Sequence, residues 1–215
     1  MSIRIKKHLT AIFAKILLVA ILTVIAYTLG TFLPNHYAMK KFETQKEHEF
    51  SERFQAFTSE PAFDYVDNET FVSAVYKCIN YLNYTQDKEY RVPTAIIASM
   101  AIIESAYGTS RFAREGNALF GVRTWDLSQP HMKPLGIPDA KFGVKKYATK
   151  CESVKDMIRI VNNHPAYTDF REERAKQLDM GFWDYNKLVV GLSAWSVNEK
   201  YTDMIIKTIE SNNLY

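Results

Sequence analysis

The chain has 215 residues, which suits one domain with or without a membrane anchor. A composition of 47% hydrophobic and 24% charged residues excludes a mainly disordered protein, and two cysteines are too few for a disulfide scaffold. The net charge of +3 comes from residues 1–33, which hold four basic side chains and no acidic one. The remainder lacks the basic excess of a nucleic-acid-binding surface, so no nucleic-acid partner is expected.

The N-terminus carries a candidate membrane span. Ile16–Leu33 has no charged residue, and its 18 positions make about 27 Å of helix, close to the thickness of a hydrocarbon core. The basic residues before it favour an N-inside orientation. The run is longer than the apolar part of a usual signal peptide, although cleavage near Ala38 is the alternative. We expect residues 1–33 to form a cytoplasmic tip and an uncleaved single-pass anchor in the inner (cytoplasmic) membrane, with residues 34–215 on the periplasmic or extracytoplasmic side.

The rest of the chain divides into a charged segment and a domain. Residues 34–65 mix charged residues with phenylalanines, which indicates a helical stalk or linker, and residues 66–215 are expected to form one domain. The helix that Pro93 opens is apolar almost all round, as is typical of a helix at the centre of a domain. Further helices are expected over 68–84, capped by Asp67 or Asn68, and near 152–163, 168–180, 184–196 and 199–212.

A different pattern runs from Phe120 to Ala148. The segments FGVRTW and AKFGVKKYA favour strands, and LSQPHMKPLGIPD, dense in proline and glycine, separates them. We expect a small irregular β-hairpin with a long loop, and loops of that length are often functional. The expected fold class is therefore mainly α with a minor hairpin.

Glu104 is an unusual residue for its position. It follows IIASMAII at the end of the most apolar helix of the chain. Burial disfavours an ionised carboxyl and raises its pKa, and a carboxyl that stays protonated near neutral pH can act as a general acid. The alternative is a carboxylate at an exposed helix end, or one paired with Arg111 or Arg114.

Other chemistries have little support in the sequence. The five histidines show no metal-ligand spacing on one element, and there is no glycine-rich phosphate loop, so neither a metal nor a cofactor is expected. Cys78 and Cys151 either pair in an oxidising compartment or remain buried free thiols.

The residues around Glu104 belong to a longer motif. ESAYGTSRFAREGNALFG is followed by KFGVKKYATKCESVKDMIRIVNNHPAY and SAWSVNEKYTDMI. This order resembles the glucosaminidase domain of glycoside hydrolase family 73, especially its Bax branch, over roughly Arg91 to Leu214. The resemblance implies a lysozyme-like α+β domain that hydrolyses the β-1,4 bond after N-acetylglucosamine in the glycan strands of peptidoglycan.

The resemblance also implies roles for single residues. The family's catalytic acid falls on Glu104, and its late tyrosine, often placed near the cleaved sugar, falls on Tyr201. The family commonly has tryptophan where this chain has Tyr107, which would offer a smaller stacking face to a sugar. The residues placed at the substrate cleft are Tyr107, Gly108, Ser110, Asn117, Phe120 and Gly121. The aromatic residues expected to be mainly structural are Tyr147, Tyr167 and Trp195.

The second catalytic group is left open. Relatives often have a glutamate in the hairpin, whereas this chain has none between Glu115 and Glu152. The hairpin offers Asp139, the first choice, and Asp126, although aspartate is also common in turns. Alternatively, the acetamide oxygen of the substrate attacks the anomeric carbon, with the Tyr201 hydroxyl orienting it. Tyr201 is also compatible with a plain core position on its helix.

Two other functions remain compatible with the sequence. A lytic transglycosylase with a single catalytic glutamate would cleave the same strands without adding water. A domain that binds glycan or a partner protein without catalysis is the other, because the hairpin glutamate is missing and Tyr107 departs from the family pattern. A protein activator is a further partner that the sequence does not identify.

Overall fold

The structure of the chain is a computed structural model that describes residues 3–32, 36–137 and 139–215. The chain separates into two compact units, Met1–Gln55 and Ala56–Tyr215. The second unit contains every residue that the sequence singles out for chemistry.

The first unit is helical. Helix α1 spans Ile3–Phe32, and helix α2 spans His36–Thr58, so that its last residues belong to the second unit. The stretch His8–Gly30 is long and apolar enough to cross a membrane, although a signal sequence near the N-terminus has the same properties. Residues 38–52 of α2 are exposed.

The second unit is mainly helical. Its α-helices are α3 (Asn68–Thr85), α4 (Thr94–Ser105), α5 (Arg111–Gly116), α6 (Lys150–Asn163), α7 (Thr168–Met180), α8 (Tyr185–Val190) and α9 (Tyr201–Ser211). Single 3₁₀ turns lie at Lys88–Tyr90, Pro165–Tyr167 and Ser193–Trp195. The helices predicted over 68–84, 152–163, 168–180 and 199–212 are confirmed to within two residues at each end.

Helix α4 forms the centre of the core. Every residue from Ala95 to Ile102 is at most 6% exposed, and α4 packs against α3 and α9. Burying each large apolar side chain of this helix contributes about 1.5–3 kcal/mol relative to exposure. Because both flanks of α4 are covered, the helix is a rigid support for the residue at its C-terminal end.

Helix α3 is capped by Asp67, one of the two candidates that the sequence offers. The Asp67 carboxylate accepts a hydrogen bond from the backbone N–H of Thr70 at 2.8 Å, and the Thr70 hydroxyl accepts one from the Asp67 N–H at 3.0 Å. This reciprocal capping box satisfies two backbone donors that the first helical turn leaves free.

The predicted hairpin is part of a three-stranded sheet. Strands β1 (Arg123–Thr124) and β3 (Gly143–Lys145) pair antiparallel, as expected, and β2 (His131–Met132) pairs with the other edge of β3. The extra strand arises because the long loop folds back and buries Met132. Residue 138, within the predicted loop, lies outside the described residues.

Two helices differ from the prediction. The helix expected over 184–196 is interrupted after α8, where Gly191 lies against the backbone of Phe170: a Cβ at Gly191 would come within 2.6 Å of the Phe170 Cα. Helix α5, which the sequence did not predict, is only six residues long and has no clear apolar periodicity. Its N-cap is the Ser110 side chain, which accepts from the Ala113 N–H at 3.2 Å.

A disulfide joins two core helices. Cys78 in α3 and Cys151 at the start of α6 are paired, with their Cα atoms 5.5 Å apart, within the usual range for a disulfide. Both residues are buried. Of the two alternatives that the sequence left open, the structure shows the paired one.

The segment before α3 also belongs to the second unit. The Phe63 and Tyr65 rings lie edge-on to Phe71, with ring centroids 5.9 and 5.2 Å away. The sequence assigned residues 34–65 to the stalk, whereas Phe63 and Tyr65 pack against the core of the domain.

Candidate active site

Glu104 lies in the last turn of α4 and is partly exposed. Burial among apolar groups raises the pKa of its carboxyl above the ordinary glutamate value, and the nearby Tyr201 hydroxyl opposes part of that rise in pKa. No ion pair joins Glu104 to Arg111 or Arg114 within the described parts of the chain. The arrangement therefore favours a protonated carboxyl that remains accessible to a ligand.

Tyr201, the first residue of α9, faces Glu104. Its side chain is buried, and its hydroxyl has no partner in good hydrogen-bond geometry among the described residues. The hydroxyl is nevertheless close enough to the carboxyl of Glu104 for the two groups to influence each other. Burial and then the Glu104 charge raise the pKa of Tyr201, so the phenol keeps its proton. A buried hydroxyl with unused hydrogen-bonding capacity is available to a bound ligand.

Tyr201 adjoins a group of three aromatic side chains, Trp195, Phe120 and Tyr167. The Trp195 ring is edge-on to Phe120, with centroids 6.3 Å apart, and is tilted against Tyr167 at 5.9 Å. Tyr167 in turn contributes to the raised pKa of Tyr201. Phe120, which the resemblance places at the cleft, is buried and supports the partly exposed Trp195. The sequence predicts that Trp195 and Tyr167 are mainly structural. Nothing in the residues around either of them indicates this arrangement of rings.

The chain leaves α4 through an unusual turn. Ala106, Tyr107 and Gly108 have φ values of 51°, 55° and 75°. The left-handed conformation costs an ordinary residue about 1–2 kcal/mol, and such strain clusters at functional sites. The Ser105 hydroxyl accepts from the Gly108 N–H at 2.8 Å, and the Ser105 carbonyl accepts from the Ser110 N–H at 3.0 Å. The backbone is therefore bent sharply two residues after Glu104.

Tyr107 helps to hold this turn. Its hydroxyl donates to the Asn212 side-chain oxygen at 2.7 Å, just after α9, and its ring is edge-on to Phe71 at 6.0 Å. The sequence suggested a stacking face for a sugar at this position. In the structure, the half-buried Tyr107 connects the turn after α4 to the end of α9.

The remaining residues of the motif shape the backbone. Asn117 has a φ of 53°, and its side chain donates to the carbonyl groups of Tyr147 at 3.1 Å and Ala148 at 2.9 Å. Gly121 has a φ of 58°, which favours glycine. These two residues, together with the Ser110 cap, fix the path from α4 to the sheet.

In the described part of the chain, neither aspartate of the hairpin region shares a hydrogen bond with Glu104. Asp139 is exposed in the loop between β2 and β3 and makes no hydrogen bond or ion pair with the described residues. Asp126 accepts from the N–H and the hydroxyl of Ser128 at 3.1 and 2.5 Å, and these bonds lower its pKa. Asp126 is therefore engaged in a local turn. Among the described residues, no cluster of His, Cys, Asp and Glu side chains is arranged to hold a metal ion.

Comparisons with known proteins concern the same part of the chain. The family model described as "Glucosaminidase: Mannosyl-glycoprotein endo-beta-N-acetylglucosaminidase" matches residues 81–214. Protein bax of Escherichia coli (strain K12) is 35% identical over 85 residues, which is 40% of this chain and 29% of that protein. The chain thus matches less than a third of the length of this relative.

Two solved structures resemble this chain to different degrees. The catalytic domain of the autolysin Auto from Listeria monocytogenes superposes with a TM-score of 0.53 at 22% identity, covering 78% of this chain and 94% of that one. The glycoside hydrolase domain of FlgJ from Salmonella typhimurium gives 0.49 at 17% identity, covering 69% and 99%. The likeness to Auto confirms the predicted lysozyme-like, mainly helical fold.

Proposed function

The chain belongs to the glucosaminidase family, and from this premise we propose that it hydrolyses the β-1,4 bond after N-acetylglucosamine in the glycan strands of peptidoglycan. Glu104 is the general acid. The observation that carries the proposal is its carboxyl at the end of an apolar helix, with a raised pKa and the buried Tyr201 hydroxyl beside it.

The first step uses Glu104 as a proton donor. As the glycosidic bond breaks, the carboxyl gives its proton to the leaving oxygen, which becomes the hydroxyl of the departing strand. An acid that is already ionised at neutral pH would have no proton to give. The burial of Glu104 therefore supports this role.

The nucleophile is the acetamide oxygen of the substrate. It forms a bond to the anomeric carbon as the leaving group departs, and the positively charged ring that results is opened by water, whose proton returns to the Glu104 carboxylate. Tyr201 orients the acetamide through its hydroxyl. The hydrogen bonds that hold Asp126 in a local turn, and the exposed position of Asp139, support this route over one that uses either aspartate.

Peptidoglycan digestion tests the proposal. Purified full-length chain in detergent and a matched Glu104→Gln variant are incubated with sacculi, and the released ends are identified by mass spectrometry. New reducing N-acetylglucosamine ends from the parent alone are expected. Full activity of the variant would refute the role of Glu104. Products lighter by one water would indicate a lytic transglycosylase, and binding to sacculi without release would indicate a non-catalytic domain.

Two further variants separate the candidates for the second group. Tyr201→Phe removes only the hydroxyl and is expected to lower kcat by about 10²-fold, as loss of an orienting donor does. Asp139→Asn is expected to retain activity within about twofold, because that side chain is exposed and, among the described residues, bonds to neither Glu104 nor Tyr201. The reverse ranking of the two variants would favour Asp139 as the second catalytic group.

We also propose that α1 is an uncleaved anchor and that residues 34–215 act outside the cytoplasm. The apolar stretch His8–Gly30 and the disulfide Cys78–Cys151 support this location, because disulfides persist in oxidising compartments. The intact mass of the chain recovered from membranes tests it. A mature chain that begins near residue 38 would identify a signal peptide instead.

A further inference from the structure

We propose that Tyr65 is a positioning residue for Glu104, because it clamps the left-handed turn through which the chain leaves α4. Tyr65 lies outside residues 81–214, which match the family model. The proposal deepens the assignment of Glu104 as the acid and rests on that proposed function.

Tyr65 touches the turn at its last residue. Its hydroxyl donates to the Gly108 carbonyl at 2.8 Å. The ring is so close to Gly108 that a Cβ there would come within 2.7 Å of the ring carbon bearing the hydroxyl. Burial raises the pKa of Tyr65, so the hydroxyl keeps its proton and remains a donor at neutral pH.

An aromatic cluster fixes Tyr65 in this place. Its ring is edge-on to Phe63 at 5.9 Å and to Phe71 at 5.2 Å, and Phe71 is edge-on to Tyr107 at 6.0 Å. The Lys150 ammonium lies 5.7 Å from the centre of the Tyr65 ring. Tyr65 therefore connects the segment before α3 with Gly108 directly and with Tyr107 through Phe71.

The clamp matters because the turn is strained. Ala106 and Tyr107 hold left-handed conformations that non-glycine residues leave when nothing holds them. Once the hydroxyl of Tyr65 is removed, the turn keeps only its other ties, the Tyr107 bond to Asn212 and the bonds to Ser105, and the last turn of α4 with Glu104 loosens. The carboxyl then becomes more exposed to water, and its pKa falls toward the ordinary glutamate value because burial is what raises it.

The titratable groups around this region are few. Tyr201 on α9 acts on Glu104, with Tyr167 behind it, and Arg114 and Lys150 lie near Tyr65. None of these groups is changed by removing the Tyr65 hydroxyl. A shift in the titration of Glu104 would therefore report on its burial.

Tyr65→Phe is the decisive variant, and Tyr76→Phe is its matched control. The Tyr76 hydroxyl also donates to a backbone carbonyl, that of Leu214 at 3.2 Å, and no bond from Tyr76 to the turn is present among the described residues. Each full-length variant is assayed in detergent for kcat and KM on soluble glycan strands across pH. The carboxyl of Glu104 is titrated separately by ¹³C NMR, with Glu104→Gln identifying its signal.

We expect Tyr65→Phe to lower kcat about tenfold, with KM within about twofold. The basic limb of its pH–rate profile and the NMR titration of Glu104 should both move to lower pH, whereas Tyr76→Phe should resemble the parent. Asn212→Ala removes the other tie of the turn, the bond from Tyr107, and should shift the titration in the same direction. If Tyr65→Phe does not fold, Phe63→Leu, which removes a ring that fixes Tyr65, should shift the titration in the same direction, and an unshifted titration would overturn the positioning role.

The outcomes separate this inference from the proposed function. A parent chain without activity, whose Glu104 titration still moves in Tyr65→Phe, would refute the hydrolase and retain the positioning role. An active parent whose Tyr65→Phe and Tyr76→Phe variants agree in kcat and in Glu104 titration would overturn the positioning role.

Discussion

Replacing Gly108 by alanine should destabilise the domain through two separable effects. With a φ of 75°, any residue with a Cβ is strained at this position, at a cost of about 1–2 kcal/mol. The new Cβ would also lie 2.7 Å from a ring carbon of Tyr65 and 2.8 Å from one of Phe71. Both rings are held by the aromatic cluster, so relief of the clash adds about 1–3 kcal/mol. The total is about 3 kcal/mol.

Gly181→Ala is the matched control. Gly181 has a φ of 77°, and nothing lies within 4 Å of the Cβ it lacks. Its substitution therefore carries the backbone cost alone, about 1 kcal/mol. The difference between the two variants isolates the contact with Tyr65 and Phe71.

Thermal unfolding followed by tryptophan fluorescence measures the difference. The three tryptophans, Trp125, Trp183 and Trp195, all lie in the second unit, so the signal reports on that unit even in the full-length chain. For a unit of this size, Tm should fall by roughly 10 °C in Gly108→Ala and roughly 3 °C in Gly181→Ala. Equal losses of Tm would show that the rings do not press on the turn and would refute the reasoning.

Three further predictions concern stability. The double variant Cys78→Ser/Cys151→Ser should lose about 4 kcal/mol of unfolding free energy, since the bond closes a long loop, and urea unfolding with and without reductant measures it; equal curves would contradict this. Glu104→Gln should be more stable than the parent at pH 7. The pKa of Glu104 is raised in the folded state, so the parent loses stability as pH rises from the unfolded glutamate pKa to the folded pKa. At pH 3 the difference between the two proteins should vanish. Asp67→Ala should lower the free energy of unfolding by about 1 kcal/mol. Asn68→Ala, which lies outside the capping box, should lower it by less in the same urea series.

The sequence could predict features that depend on neighbouring residues. Asp67 and Asn68 are both cap candidates because a helical pattern begins just after them, and the structure shows Asp67 as the cap. Glu104 stood out because it ends a helix that is apolar on every side, and burial of that helix follows from its pattern alone. In both cases the relevant physical effect acts within a few positions along the chain.

Other features depend on contacts between distant residues. Strand β2 is two residues long and has no periodicity, so only its pairing with β3 reveals it. The left-handed turn at Ala106 and Tyr107 is held by Tyr65 and Asn212, each more than 40 positions away from Gly108 or Tyr107. Gly108 is the one residue of this turn whose type favours a left-handed conformation, and it does not indicate that Ala106 and Tyr107 adopt that conformation too.

The disulfide between Cys78 and Cys151 also bears on how the protein tolerates proteases. The loop between β2 and β3 lies inside the covalent ring closed by this bond, and it exposes Leu135 and Ile137, so it is a natural point of cleavage. A cut there places Glu104 on one fragment and Tyr201 on the other. The fragments stay attached through the two sulfur atoms, and they separate only when a reductant breaks that bond.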